Sequence, residues 1–241
     1  MLRKVVLGLL MLTAWQAQAD YQCQVKPQDD IFIAPEHVRV VGANGEMTIS
    51  PDGDVARNGQ RVELNGEQQR QAQEFQSAVR QDLPWIDQGA REHLERGRVA
   101  LDRIIVQQLG SDSHVRERLS TLDEQLKQQM NRILEHRPEG LAFHHQAIDQ
   151  VQRDGQRIVQ QSMGGVVQDS LNEMGGRQAL KAATDNNPLQ AIMGNMGNLQ
   201  NAIQAEWKNQ EHEFQQFGSH VCQRVTSLEQ QRIALEQSLR Q

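Results

Sequence analysis

The chain has 241 residues and a formal net charge of −6 at pH 7, and aromatic residues make up only 4% of it. An acidic chain argues against a nucleic-acid partner and against charge-driven adhesion to anionic lipid, because both require a basic face. Few aromatic residues and abundant Gln, Glu, Arg and Leu are typical of long solvated helices rather than of a compact enzyme core.

Residues 1–19 have the pattern of a cleavable secretory signal peptide. Two basic residues precede an apolar run over residues 5–14, which is too short to span a bilayer, and residues 17–19 read Ala-Gln-Ala. The pattern predicts that the exported chain begins at Asp20, and loss of the two leader cations changes the net charge from −6 to −8. No later stretch has the length and apolarity of a membrane span, so the sequence predicts no transmembrane anchor after cleavage.

The segment 20–65 predicts a small antiparallel β-meander. Turn sequences at residues 44–45, 51–53 and 58–59 separate short runs that are rich in apolar and β-branched residues. An Asn-Gly pair between two such runs favours a tight hairpin in which both central residues have positive φ. So small a sheet needs a helix packed against it. The predicted strands are 21–25, 31–33, 38–41, 47–49 and 61–64.

The segment 66–241 predicts long amphipathic helices. Asn65 caps a first helix, which residues 83–85 (Leu-Pro-Trp) interrupt, because proline disfavours helical geometry in the residue before it. A second helix then ends at Gly110, the residue type that most often terminates helices. A third helix begins at Asp112 and carries apolar residues at the spacing of a coiled-coil seam. The seam consists of Val115, Leu119, Leu122, Leu126, Met130 and Ile133.

Two long helices joined by a short connection pack antiparallel, so the second and third helices predict a helical hairpin. Residues 136–140 break the third helix, and a fourth is predicted over 139–174. Residues 175–198 are rich in Gly and Asn and predict an irregular segment before a last helix over 198–239. These elements assign the chain to the α+β class, as a β-meander followed by an antiparallel helical hairpin or coiled-coil bundle. The same seam also closes between two chains, so a homodimer stays open.

The chain holds two cysteines, Cys23 and Cys222, which lie near its two ends. Disulfides persist in the oxidising compartments that exported proteins enter. We expect an intramolecular bridge that ties the β-segment to the last helix, and a loop of about 200 residues gives it roughly 5 kcal/mol on a chain-entropy estimate. Free thiols and an intermolecular bridge stay open as alternatives.

Methionine recurs beside glycine at Met163, Met174, Met193 and Met196. Thioethers are soft ligands that suit Cu(I), but methionine also fills core gaps and forms adaptable interaction surfaces. We interpret these four residues as a candidate interaction surface and assign the chain no metal site and no cofactor. Soft-metal binding and plain packing are the alternatives.

No motif in the sequence predicts catalysis. His144 and His145 are adjacent, so on a helix they point about 100° apart and form no chelating face, and His212 and His220 lie about two helical turns apart. Residues 51–54 lack the spaced oxygens of a calcium loop. The sequence also has no G-x-S-x-G and no phosphate-binding glycine loop, so we expect that the protein is not an enzyme.

An ordered set of short motifs comprises residues 20–23 (DYQC), 51–53 (PDG), 58–59 (NG), 83–87 (LPWID), 100–107 (ALDRIIVQ), 128–133 (QQMNRI), 147–151 (AIDQV), 172–175 (NEMG), 187–190 (NPLQ), 206–208 (EWK), 214–218 (FQQFG) and 221–222 (VC). In this order, the motifs resemble the YggN-like family of exported bacterial proteins of unknown function. The resemblance spans nearly the whole chain after the signal peptide. It implies a periplasmic location in a two-membrane bacterium, and it brings no activity and no functional residues.

We therefore expect an exported, non-enzymatic, helix-rich protein that binds other periplasmic proteins or envelope components through amphipathic helices, as a chaperone or adaptor does. One alternative is a soft-metal or small-ligand binder that uses the Met- and Gly-rich region. The other is a purely structural envelope protein.

Overall fold

The computed structural model describes residue 23, residues 25–181 and residues 188–240, so the predicted signal peptide lies outside the described residues. For residues 163, 167, 171, 174–181, 188–196, 207 and 211 only the backbone is described. The strands are β1 (Asp30–Ile33), β2 (Val38–Gly42), β3 (Gly45–Ile49), β4 (Val55–Arg57), β5 (Gln60–Arg61), β6 (Leu134–Arg137) and β7 (Gly140–Phe143), and the helices are α1 (Gly66–Leu109), α2 (Val115–Ile133), α3 (Ala147–Lys181) and α4 (Pro188–Ser238).

All the described strands join one antiparallel sheet in the order β5-β4-β3-β2-β1-β7-β6. The predicted meander and its strands over residues 31–33, 38–41 and 47–49 are confirmed. The strand predicted over 61–64 is wrong beyond its first residue, because β5 ends at Arg61. The strand predicted over 21–25 is not a strand at its described positions 23 and 25.

The two Asn-Gly turns differ in geometry. Asn58 and Gly59 both have positive φ, 49° and 79°, as the hairpin prediction requires. In the turn between β2 and β3 only Gly45 has positive φ, 95°, so the prediction is wrong for Asn44. The difference arises because Ala43 and Asn44 occupy the turn, whereas Gly45 is already the first residue of β3.

A second hairpin, β6–β7, completes the sheet. The sequence predicted a helix that begins at residue 139, and this prediction is wrong for residues 139–146, because α3 begins at Ala147. β7 pairs with β1, so Phe32 lies opposite Ala142 on one side and Arg39 on the other. Gly140 makes the turn possible with φ 145°, and a Cβ at this position would lie 1.9 Å from the carbonyl oxygen of Ile33. The pairing with a strand more than 100 residues away stabilises this hairpin in place of helix.

Helix α1 continues through Pro84, and the predicted interruption over residues 83–85 is wrong. Pro84 is on the exposed side of the helix, whereas Leu83 and Asp87 are buried. Burial of the residues around it outweighs the backbone hydrogen bond that proline cannot donate. Both predicted ends are confirmed, because Asn65 forms a reciprocal capping box with Gln68 and Gly110 closes the helix with φ 92°.

Two hydrophobic clusters lie among the described residues, and helices α1 and α4 take part in both. In the first cluster, Phe75 and Val79 of α1 and Leu235 of α4 pack on the core face of the sheet. In the second cluster, the later part of α1 packs with α2, α3 and the earlier part of α4. Its buried residues are Ile105, Leu109, Val115, Leu119, Leu122, Val166, Leu199 and Ile203.

Helix α1 packs antiparallel to both α2 and α4. Contacts of Asp102 with Arg116 and of Arg91 with Asn131 join α1 to α2, which confirms the predicted helical hairpin. Of the predicted seam, Val115, Leu119 and Leu122 are buried, and Leu126 is partly buried against them. Contacts of Gln68 with Ser238 and of Arg96 with Glu213 join α1 to α4 in the same way. The β-sheet therefore packs on both α1 and the end of α4.

Helices α3 and α4 extend into the segment 175–198, which the sequence predicted to be irregular. α3 ends at Lys181 and α4 begins at Pro188, so both helices contradict that prediction at the positions they cover. Residues 182–187 lie outside the described residues. Among the helices that are described, none has a stretch long and apolar enough to cross a membrane.

The β6–β7 turn generates a stability prediction. In Gly140→Ala the new methyl group collides with the carbonyl of Ile33, and alanine resists the positive φ, so we expect a loss of about 2–4 kcal/mol in the free energy of unfolding. Urea unfolding followed by circular dichroism measures the change.

Gly155→Ala in α3 is the matched control. A Cβ at Gly155 has no heavy-atom neighbour within 4 Å, so the same substitution there should be neutral or stabilise the protein by up to about 1 kcal/mol. Equal effects of the two substitutions would contradict the packing described for the turn.

Candidate functional site

An aromatic cluster joins α1 and α4 between the two hydrophobic clusters. The ring centroid of Phe217 lies 5.4 Å from that of Trp85 and 4.7 Å from that of His93, and Phe214 lies 5.2 Å from His93. Gly89 permits this approach, because a Cβ on it would lie 2.4 Å from the ring of Phe217. Positions 85, 89 and 93 recur every four residues and therefore share one face of α1.

His93 takes part in this cluster as a neutral ring. Its Nδ1 lies 2.8 Å from Nη2 of Arg96, and because a guanidinium only donates, Nδ1 accepts and the ring proton resides on Nε2. Burial lowers the pKa of His93, and the positive charge of Arg96 lowers it further. Protonation would therefore disturb the contact between the two helices.

Next to the aromatic cluster, α1 and α4 border an open groove of about 440 Å³. This volume is within the range of small-ligand sites. The guanidinium of Arg224 donates to the carboxylate of Asp82, and its Cζ lies 4.1 Å from the ring centroid of Trp85. The α1–α4 groove is lined by Asp82, Trp85, His220, Gln223, Arg224 and Ser227.

The lining of the groove follows from helical spacing. Positions 220, 224 and 227 are separated by four and three residues and share one face of α4, while positions 82 and 85 are neighbours on α1. Asp82 is buried, with 9% of its surface exposed, and Arg224 covers it. A partly exposed guanidinium, paired with a buried carboxylate and stacked on an aromatic ring, thus forms one wall of an otherwise open site.

A second polar centre lies where the end of α4 meets the sheet. The guanidinium of Arg232 contacts Glu229 at 2.6 Å, Glu236 at 2.7 Å and Asp29 at 2.8 Å. Burial raises the pKa of Asp29, although Arg232 acts in the opposite direction. The hydrogen bonds that Arg232 donates to the carboxylate of Glu229 hold the pKa of Arg232 above its ordinary value. This centre is buried and anchors α4 to the segment that precedes β1.

His144 and His145 lie in the turn after β7. The sequence interpretation placed them on a helix, and this placement is wrong. The ring nitrogens Nδ1 of His144 and of His145 lie 3.2 and 2.6 Å from the two carboxylate oxygens of Asp30. Burial acts to raise the pKa of Asp30, but the hydrogen bonds from both histidines outweigh it and lower the pKa. Among the described residues, no three His, Cys, Asp or Glu side chains are placed to hold a metal ion.

The four methionines of the candidate interaction surface are in helical backbone, Met163 and Met174 in α3 and Met193 and Met196 in α4. Their side chains lie outside the described part of the chain, so the interpretation stays a prediction. Cys23 and Cys222 form the expected disulfide, with their Cα atoms 5.5 Å apart.

A sequence model of the family described as "Protein of unknown function (DUF2884)" matches residues 23–241. The chain belongs to this family. The protein named "Uncharacterized protein YggN" of Escherichia coli (strain K12) is 52% identical over 241 residues, and the match covers 100% of each chain. Proteins of the same name from strains O157:H7 and O6:H1 match with the same identity and coverage. No solved structure matches the chain.

The resemblance to the YggN-like family is thus confirmed, and the match includes both cysteines and the whole α1–α4 groove. The sequence pattern had not paired Phe214 and Phe217 of the last helix with Trp85 and His93. The available signal was the four-residue spacing of Trp85, Gly89 and His93, whose partners lie more than 100 residues away.

The buried charges around Arg232 generate a second prediction. Arg232→Gln leaves Asp29, Glu229 and Glu236 close together without their shared cation, so we expect the free energy of unfolding to fall by about 3–5 kcal/mol. Chemical denaturation at pH 7 measures the loss.

Arg240→Gln is the control, because Arg240 is exposed and lies 3.7 Å from Glu236. Loss of so exposed a pair should change stability by less than about 1 kcal/mol. If Arg232→Gln were as mild as Arg240→Gln, the buried charges would not anchor α4.

Proposed function

We propose that the protein is an exported, non-catalytic periplasmic protein that binds protein clients or envelope proteins in the α1–α4 groove, as a chaperone or adaptor does. The observation that carries the proposal is the groove itself, which has a volume of about 440 Å³ and Trp85 in its lining. Aromatic residues and arginine dominate the binding energy of protein interfaces, and Trp85 and Arg224 line this site together.

Exposed aromatic surface beside the groove supports the proposal. Phe214 is 44% exposed although it contacts His93, and few large apolar side chains are so exposed among the described residues. An apolar surface that continues a groove marks an interaction site more often than an isolated apolar residue does. A polypeptide segment that enters the groove would extend over Phe214 and gain contact area there.

The chemistry of the groove supports a binding role over a catalytic one. His220 and Ser227 are seven residues apart on α4, about 10 Å along the helix axis, so the imidazole is too distant to take a proton from the hydroxyl. The Ser227 hydroxyl oxygen instead accepts a hydrogen bond from Gln231 at 3.2 Å. The carboxylate of Asp82 is engaged by Arg224.

The proposed location follows from residues 1–19 and from the cysteines. The signal-peptide pattern directs export, and a disulfide between Cys23 and Cys222 is of the kind that forms in oxidising compartments. The periplasm is the compartment in which both features operate together.

The proposal is tested by photocrosslinking in living cells. A benzophenone side chain in place of Gln223, an exposed residue of the groove, should give reproducible adducts with identified envelope or periplasmic proteins, because a bound segment passes within reach of this position. Replacing Trp85 with alanine in the same chain should reduce the adducts severalfold, since the aromatic wall is lost.

The control carries the same probe at Arg153, which is exposed on α3, a helix that does not line the groove. Adducts from position 223 that exceed those from position 153 and depend on Trp85 support the proposal. Equal adducts from both positions, or none from position 223 in folded and oxidised protein, would refute it.

A further inference from the structure

We propose that the α1–α4 groove recognises the terminal carboxylate of a polypeptide whose last side chain is apolar. This inference rests on the proposed function and names the part of a client that the groove binds. It follows from the hydrogen-bonding capacity of the groove, from its charge and from the position of Trp85.

Gln223, Arg224 and Ser227 each bring hydrogen-bond donors to the groove. Gln223 and Ser227 are exposed at the edge of the groove. The Ser227 oxygen already accepts a hydrogen bond from Gln231, so the Ser227 hydroxyl proton points away from Gln231. Within the described part of the chain, Arg224 hydrogen-bonds only to Asp82, through Nη1, so its Nε and Nη2 groups remain able to donate. A site with surplus donors binds an acceptor-rich group, and a carboxylate is the simplest such group in a polypeptide.

Arg224 is held ready for such a ligand. One side of its guanidinium packs on the Trp85 ring, and one nitrogen is bound to the buried carboxylate of Asp82. These contacts restrict the side chain before a ligand arrives, so less conformational entropy is lost on binding. The planar guanidinium also fits a carboxylate in two-point geometry.

The two charged side chains of the groove lining, Asp82 and Arg224, balance each other, whereas the chain as a whole is acidic. The chain carries a net charge of −6, whereas Asp82, the one acidic side chain of the groove lining, is covered by Arg224. An anionic group is repelled by most of the acidic surface and is accepted where a guanidinium faces solvent. Trp85 adds an aromatic surface in the same groove, which suits an apolar side chain next to the carboxylate.

The test is calorimetric titration of the full oxidised chain with matched peptides. The first is an N-acetylated hexapeptide that ends in leucine with a free carboxylate, and the second is the same peptide with a terminal amide. We expect the carboxylate peptide to bind at least about tenfold more tightly, because hydrogen bonds to a charged group are lost in the amide.

Two variants of the ion pair give opposite expectations. Arg224→Gln should weaken binding of the carboxylate peptide by about tenfold or more and leave binding of the amide peptide nearly unchanged. Asp82→Asn removes the competing negative charge and should strengthen binding of the carboxylate peptide by roughly twofold to fivefold. A merely structural role of the pair predicts that both variants weaken binding of both peptides, and this result would overturn the inference. Arg153→Gln on α3 is the control and should change neither affinity.

The remaining outcomes separate this inference from the proposed function. Equal binding of the carboxylate and amide peptides, together with Trp85-dependent adducts from position 223, overturns the terminal-carboxylate inference and leaves the client-binding function standing. N-acetyl-leucine that binds as tightly as the hexapeptide overturns the polypeptide part, because a small carboxylate then suffices. Absence of adducts from position 223 refutes the proposed function itself.

Discussion

The antiparallel contact between α1 and α4 is the interaction on which the rest of the structure depends. Gln68 meets Ser238 at the sheet end, Asp82 meets Arg224 in the middle, and Arg96 meets Glu213 toward the helical end. The two helices cover the sheet at one end and complete the helical cluster at the other. Neither cluster has a full set of partners without both helices, so the pair makes them one cooperative unit.

Two further constraints hold α4 in this position. The disulfide joins Cys23 to Cys222 in the middle of α4, and the buried Arg232 joins the end of α4 to Asp29, just before the first strand. Both constraints act within a few turns of the α1–α4 groove. The groove is therefore rigidly framed, which fits a site that binds by preorganised contacts rather than by local folding. The groove also lies on the stretch of α1 and α4 that connects the two hydrophobic clusters. Trp85 therefore has a structural role as well, because it packs on Phe217 of α4.

Local features were predictable from the sequence, and long-range ones were not. The Asn65 cap, the Gly110 terminus and the seam from Val115 to Leu126 depend on neighbours within a few turns, and all of them are confirmed. Strands β6 and β7 have four residues each, and the pairing of β7 with β1 stabilises the hairpin that they form, so no local periodicity identifies them. The groove could not be predicted for the same reason, because its two walls are separated by more than 130 residues of sequence. At Pro84 the local signal was real, but burial of the adjacent Leu83 outweighed it.

Amide hydrogen exchange of the oxidised chain, resolved by residue, tests the central role of the α1–α4 contact most directly. We predict that the buried amides of α1, of residues 199–238 in α4 and of β1–β3 open together with one common free energy, since each depends on the same contact. Exchange of α4 by a separate and easier opening, while α1 and the sheet keep their full protection, would contradict the account.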